Sequence, residues 1–211
     1  MKRLQHYLNL YTQTKLTEDG IIGPKTLKAC SNFIQSEIRR RGWIQPDTDI
    51  VWLRYDKTYN NAFNDFALIY VKGKLIDILH ATTTPGDYWI YNPVTVGGIT
   101  GVASMCEQQV LNSHQFITAK DWTKLWLNAP YFKQVKALQV YRDGNKDKIY
   151  DRNLITIAGA GSGLNWHRMG AGTINWNWSA GCNGTSDADW KEKVIIHFEA
   201  NALYTYTLIE L

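Results

Sequence analysis

The sequence predicts an α+β fold: a small N-terminal helical module followed by a mainly β domain. Two patterns point to it. Before Gly42, Leu, Ile and Phe recur at helical spacing, interrupted by turn signals. After residue 60, short segments rich in Val, Ile, Tyr and Phe are separated by Gly, Asn and Asp. They lack the strand–helix–strand rhythm of a parallel α/β sheet. Residues 1–42 read as the helical module, 43–60 as a linker and 61–211 as the second domain.

Leu4, Leu8 and Leu10 mark a short first helix. Asp19-Gly20 and Gly23-Pro24 are turn signals. Pro24 suits the first turn of a second helix, where its missing N–H leaves no bond unmade. Leu27, Cys30, Ile34 and Ile38 then share a helical face, which makes Cys30 a core residue. Pro46 and the polar residues of 42–60 read as the linker. Segments 66–71 and 75–79 flank Lys72-Gly73-Lys74 as a hairpin. Residues 88–91 read as a strand, and 94–104 as an irregular loop near the site. Segments 121–127 and 131–138 carry helix-like patterns broken by Pro130. Segments 154–158, 164–168, 194–198 and 203–209 complete the expected strands.

The net charge of +4 is mild and diffuse. It suits contact with an anionic polymer and argues against a nucleic-acid partner. Arg39-Arg40-Arg41 reads as a solvated helix end. Nine Trp and twelve Tyr are enough to fill β cores and to line a carbohydrate or peptide groove. Three Cys imply no complete disulfide framework, and all three read as reduced thiols. No apolar run is long enough for stable membrane insertion, and no N-terminal leader is visible. The expectation is a protein made in the cytoplasm and acting after release. Oligomeric state is not legible.

The densest chemistry lies between His167 and Cys182. A thiol becomes a strong nucleophile beside a base, and imidazole serves near neutral pH. Gly181 directly before Cys182 permits a sharp turn and close backbone approach. N–H groups around such a turn can point at a developing oxyanion. The rival reading is that Cys182 is a small core hydrophobe. Gly-rich flanks, the crowding of Trp166, Trp176 and Trp178, and the polar Ser179 and Asn183 make poor composition for an inert core strand.

The run Trp178-Ser179-Ala180-Gly181-Cys182, preceded by Trp166-His167-Arg168, resembles the active-site signature of the L,D-transpeptidase (YkuD-like) family. That family reads His-Gly, a variable loop, then Ser-His-Gly-Cys. The stretch 66–77 and Thr82-Thr83-Thr84-Pro85-Gly86 is similar to the segments that precede the family's site. The resemblance implies Cys182 as nucleophile, His167 as base, and Ser179 and Gly181 as members of the nucleophile turn. Trp166, Arg168, Trp178 and Asn183 are then candidate substrate-binding residues. No cofactor and no metal are implied. Ala180 stands where the family has a second His, and Arg168 where Gly follows the base. Asn183-Gly184 lacks the family's hydrophobic-then-Arg/Asn pair. The match resembles a divergent branch found in phage and wall-active proteins.

The N-terminal run Leu4-Gln5, Asp19-Gly20-Ile21-Ile22-Gly23-Pro24-Lys25-Thr26 and Phe33-Ile34-Gln35 resembles the small three-helix peptidoglycan-binding domain. It is shorter than that domain, with the basic 37–41 end standing where a third helix would be. Both resemblances imply peptidoglycan as partner. The expected activity is an endolysin-like hydrolase cutting stem-peptide bonds. The rivals are an L,D-transpeptidase that cross-links the wall and a non-catalytic wall-binding or virion protein.

Two metal readings remain. Residues 143–151 resemble the first half of a calcium loop, but Lys148 holds the turn position and Leu154 the twelfth. The alternative is an Asn/Asp turn closed by its own side chains. A zinc site from His167, Cys182 and His197 has no diagnostic spacing.

Overall fold

The computed structural model describes residues 1–55, 61–96, 99–118, 130–145, 147, 149–152, 154–172 and 174–211. In chain order the elements are α1 (Lys2–Tyr11), α2 (Pro24–Arg40), β1 (Asp49–Arg54), β2 (Asp65–Val71), β3 (Lys74–Thr82) and α3 (Asp87–Tyr91). They continue with β4 (Thr95–Val96), β5 (Ile99–Thr100), β6 (Val102–Met105), β7 (Gln108–Ile117), β8 (Tyr131–Gln134) and β9 (Leu138–Asp143). The C-terminal elements are β10 (Leu154–Ala158), β11 (Trp166–Arg168), β12 (Asn183–Thr185), α4 (Asp187–Asp189) and β13 (Leu203–Glu210). The expected α+β architecture holds, with a helical N-terminal part and a mainly β remainder.

A closed barrel runs in the order β1-β13-β7-β8-β11-β12-β3-β2, and β10-β9-β6 form a separate three-stranded sheet. Barrel strands near the helices are apolar on both faces. Ile50 and Trp52 of β1 join the barrel interior with Ala67 and Ile69 of β2. Val51 and Leu53, with Phe66, Leu68 and Tyr70, face outward into a second core. That core is closed by Leu4, Leu8, Cys30, Ile34 and Ile38 of the helices.

The helix pair is braced by two amides. Gln5 donates to Asp19 Oδ1 at 2.9 Å and to the Ile21 carbonyl at 3.0 Å, and accepts from the Gly20 N–H at 2.7 Å. Asn9 accepts from the Leu16 N–H at 2.7 Å and donates back to its carbonyl at 3.0 Å. Arg41 ties the end of α2 to Glu37 and to Glu107.

The linker expectation for 43–60 is corrected. Its middle is β1, paired parallel with β13 and antiparallel with β2. A strand covered on both faces has no polar alternation to announce it, and the flanking Pro46 and Asp residues masked it. Residues 88–91 form helix α3, not a strand. Where helix was expected over 131–138, β8 covers Tyr131–Gln134 and β9 begins at Leu138 after a short break. Residues 194–198 sit in a π turn (Trp190–Val194) and a 3-10 turn (Ile195–His197), with Val194 and Phe198 buried a turn apart. The expected loop 94–104 holds β4, β5 and most of β6. The helix-like pattern at 121–127 lies outside the described residues.

The open end of the barrel is joined to the three-stranded sheet by a fully buried Arg54. Its guanidinium reaches Glu210 at 2.7 Å, Thr83 Oγ1 at 2.8 Å and the Met105 carbonyl at 2.9 Å. A buried ion pair is tolerable when its remaining donors are satisfied, as these are.

Candidate active site

The candidate base lies on β11, and the candidate nucleophile directly precedes β12. β11 and β12 are parallel neighbours, with Trp166 opposite Asn183, His167 opposite Gly184 and Arg168 opposite Thr185. Trp166 and Asn183 face the barrel interior, where Asn183 Nδ2 reaches the Tyr206 hydroxyl at 3.4 Å. Strand alternation sends His167 to the opposite face, while Cys182 lies one residue before β12 and its sulfur hydrogen-bonds the loop before β11. Cys182 is nearly buried, at 6 % exposure. Its thiol donates to the Gly163 carbonyl at 3.1 Å, and its sulfur accepts from the Asn165 N–H at 3.4 Å.

Gly181 is required on two counts. Its φ is +148°, and a Cβ there would stand 2.5 Å from the Ala103 carbonyl oxygen. The Ala103 N–H in turn donates to the Ala180 carbonyl at 3.0 Å. The turn is thus held against β6. Ser179 closes it from within, accepting from the Gly181 N–H at 2.9 Å and donating to the Cys182 carbonyl at 2.8 Å. Ser179 thus braces the turn from within. One expectation is corrected: the Gly181 N–H is directed at Ser179 rather than at an oxyanion.

His167 Nδ1 lies 2.7 Å from the Arg168 carbonyl. A carbonyl only accepts, so Nδ1 carries the proton and Nε2 holds the lone pair of the neutral ring. Burial drives its pKa down to about 4; the carbonyl contact opposes this and the Arg168 charge adds to it. His167 is accordingly neutral at ordinary pH, the form a general base needs.

The candidate substrate residues divide. Trp166 is fully buried and stacks on His114 with ring centroids 4.1 Å apart, so it is a core residue. Asn183 is also fully buried, inside the barrel. Neither faces a substrate, because strand parity turns both inward. Arg168 and Trp178 do lie at the surface side, the guanidinium 5.8 Å from the Trp178 ring and 2.6 Å from Asp187. Trp178 is joined by half-exposed Trp176 and Tyr88, whose rings are 6.0 Å apart. The Thr-Pro-Gly stretch reaches this turn: the Gly86 N–H donates to the Ser179 carbonyl at 2.9 Å, and Thr82 pairs with Gly184.

Several residues around the thiol had no sequence signal. Gly163, Asn165 and Ala103 act through backbone atoms, which residue type does not reveal. His114 holds the Leu164 carbonyl from below at 2.9 Å. Among the described residues no group of His, Cys, Asp and Glu is arranged to hold a metal. Asn145 donates to Asp147 at 3.0 Å and to Asp151 at 3.1 Å, so these side chains close their own turn. Cys30, Cys106 and Cys182 are all free thiols.

No family model matches the chain, and no curated protein matches it. Among solved structures, it is similar to the crystal structure of the L,D-transpeptidase from Xylanimonas cellulosilytica. The identity is 14 %, the TM-score 0.35, and the match covers 99 % of this chain and 92 % of that one.

Proposed function

We propose that the protein is a peptidoglycan-acting cysteine enzyme in which Cys182 attacks a stem-peptide carbonyl. His167 takes the thiol proton through Nε2 and later returns a proton to the leaving amine. The observation that carries this reading is the arrangement of β11 and β12. It supports the reading by setting the strand of His167 beside the strand that Cys182 precedes, with Nδ1–H of His167 occupied by the Arg168 carbonyl. Arg168, Trp178, Trp176 and Tyr88 form the surface offered to the substrate. In this reading Asn165 N–H supports the sulfur, and the helical hairpin contributes a wall-facing groove around Ile21 and Pro24.

Hydrolysis is preferred to transpeptidation. Asn183 points into the barrel and Gly184 has no side chain, so the two residues after the nucleophile offer no group to hold an acceptor amine. The phage-lysis setting is part of this proposal and rests on the sequence resemblance. Purified peptidoglycan incubated with the enzyme and read by mass spectrometry tests it. New free carboxyl and amino ends in the stem peptide support hydrolysis. New cross-links favour the transpeptidase reading. Unchanged wall fragments would leave only a wall-binding role.

A further inference from the structure

Trp176 combines a strained backbone with an exposed ring. Its φ is +42°, a left-handed conformation that bulky L-residues avoid, and the residue is 48 % exposed. Burial in a core is therefore not what holds it there, and strain kept at an exposed position points to use. The neighbouring chain fixes the backbone. The Trp176 N–H donates to Asn61 Oδ1 at 2.6 Å, and the Trp178 N–H to the Asn175 carbonyl at 2.9 Å. Buried Asn175 donates through Nδ2 to the Thr84 carbonyl at 2.8 Å. Gly86 passes so close that a Cβ on it would overlap the Trp176 carbonyl.

The rings are fixed as well. Tyr88 meets Trp89 edge-on, with centroids 4.9 Å apart at 89°, and meets Trp176 at 6.0 Å and 61°. The Trp89 Nε1–H donates to the Asn177 carbonyl at 2.9 Å, which ties α3 back to the loop of Trp176. Tyr88 and Trp176 thus form a notch of two inclined, exposed rings. The notch adjoins the Cys182 turn, because the Gly86 N–H donates to the Ser179 carbonyl at 2.9 Å and Trp178 directly precedes Ser179.

The chemistry of the notch narrows its occupant. Segments 86–92 and 174–178 carry one charged residue, Asp87, whose carboxylate accepts from Asn61 Nδ2 at 2.9 Å. Arg168, on the Trp178 side, is paired with Asp187. A carboxylate or phosphate would find no cation in these segments, and a flexible aliphatic chain makes no use of fixed ring angles. A sugar ring does, because its C–H face packs on an aromatic ring while its hydroxyls bond to amides at the rim. Exposed Asn177, between the two tryptophans, supplies one such amide.

We propose that Tyr88 and Trp176 bind a pyranose ring of the glycan strand, so that the protein recognises the sugar as well as the peptide that hangs from it. The choice of polymer rests on the reading of Cys182 as a peptidoglycan-acting nucleophile.

Calorimetric titration of the full chain carrying Cys182→Ala, with tetra-N-acetylchitotetraose and with free stem peptide, tests the proposal. The tetrasaccharide should bind. Adding Trp176→Ala or Tyr88→Ala should lower its affinity about tenfold or more, while Trp176→Phe, which keeps a flat ring, should retain most of it. Absence of tetrasaccharide binding overturns the proposal, as does an unchanged affinity in folded Trp176→Ala and Tyr88→Ala. A loss confined to the stem peptide overturns it too. If Trp176→Ala does not fold, Tyr88→Ala decides. The outcome is separable from that for Cys182. Ring-dependent sugar binding by a protein that cuts no wall would keep the notch and remove the nucleophile. Cleavage of stem peptide without sugar binding would remove the notch alone.

Discussion

His114 lies flat against Trp166, ring centroids 4.1 Å apart, and its Nε2 stands 2.9 Å from the Leu164 carbonyl. Nε2 must therefore carry the proton, and Nδ1 accepts from the Ser113 hydroxyl at 2.9 Å. One neutral tautomer fits this arrangement. It supports the backbone of the loop whose Gly163 and Asn165 contact Cys182.

Acid should unfold the protein through this pair of histidines. Burial lowers His114 to about 3 and His167 to about 4, against an ordinary 6.5. Their stabilising contribution is full above the unfolded pKa and is lost as pH falls towards the folded values. Each removes about 1.4 kcal/mol per pH unit in that window. Asp49, raised to about 6 by burial, acts in the opposite sense between its ordinary 3.8 and 6. Urea unfolding at pH 7, 6 and 5 should give an average pH slope that is about 1 kcal/mol per unit shallower in His114→Gln. An unaltered slope in that variant would mean His114 is already protonated in the fold.

Cys182→Ala and Cys182→Ser should abolish turnover of purified peptidoglycan and keep a cooperative melt. A serine hydroxyl is far less acidic than a thiol, so a neutral imidazole activates it poorly. Cys30→Ala and Cys106→Ala should retain activity. Both thiols are buried and pushed up, to about 12 and about 11, so they cost only about 1–3 kcal/mol of packing when removed. Wild-type turnover by Cys182→Ala would remove the proposed chemistry altogether.

The acid limb of the activity profile should lie well below the ordinary histidine range. A base must be deprotonated, and His167 becomes protonated only near pH 4 in this fold. An unperturbed imidazole would put that limb near 6.5. Burial moves it, with the Arg168 charge adding to the effect. Arg168→Gln should therefore shift the limb upward. Alkylation of Cys182 by iodoacetamide should slow in His167→Ala; an unchanged rate would point to another activating group.

Gly181→Ala should damage the site more than a typical glycine substitution does. The added methyl would meet the Ala103 carbonyl at 2.5 Å and Leu164 Cδ2 at 3.0 Å, at a φ that L-residues avoid. The expected cost is roughly 1–3 kcal/mol of stability with loss of activity. Thermal melting and turnover read the two effects separately. A variant as stable and active as the wild type would show that the turn can move off β6.

What was legible follows from how each signal arises. The hairpin of β2 and β3 announced itself through Lys72-Gly73-Lys74, and α2 through Pro24 and the Leu27, Cys30, Ile34 series. His167 and Cys182 stand out in the sequence because motif chemistry depends on residue type. Side-chain direction was less legible: Trp166 and Asn183 neighbour the site in sequence but are turned inward by strand parity. β1 was missed because Ile50, Val51, Trp52 and Leu53 are covered on both faces. That pairing depends on β13, far along the chain.

Removing residues 1–42 should destabilise the remainder, not merely detach it from the wall. A tethered module would leave the rest of the chain intact and lower only its local concentration on the polymer. The packing argues otherwise. Leu4, Leu8, Cys30, Ile34 and Ile38 are fully buried against Val51, Leu53, Phe66, Leu68 and Ile209 of the barrel. Each large apolar side chain stripped of its cover forfeits about 1.5–3 kcal/mol, and a whole domain has only about 5–15 kcal/mol to lose. Loss of the Arg41 contact with Glu107 adds to this. The 43–211 fragment is expected to aggregate, or to bind a hydrophobic dye and melt without a sharp transition. A wall-holding role for the helices is then better tested by exposed substitutions such as Ile21→Ser, which leave the shared core intact while sacculus binding is measured. A monomeric 43–211 fragment that melts at the wild-type temperature would restore the linker reading and make the helices a separable module.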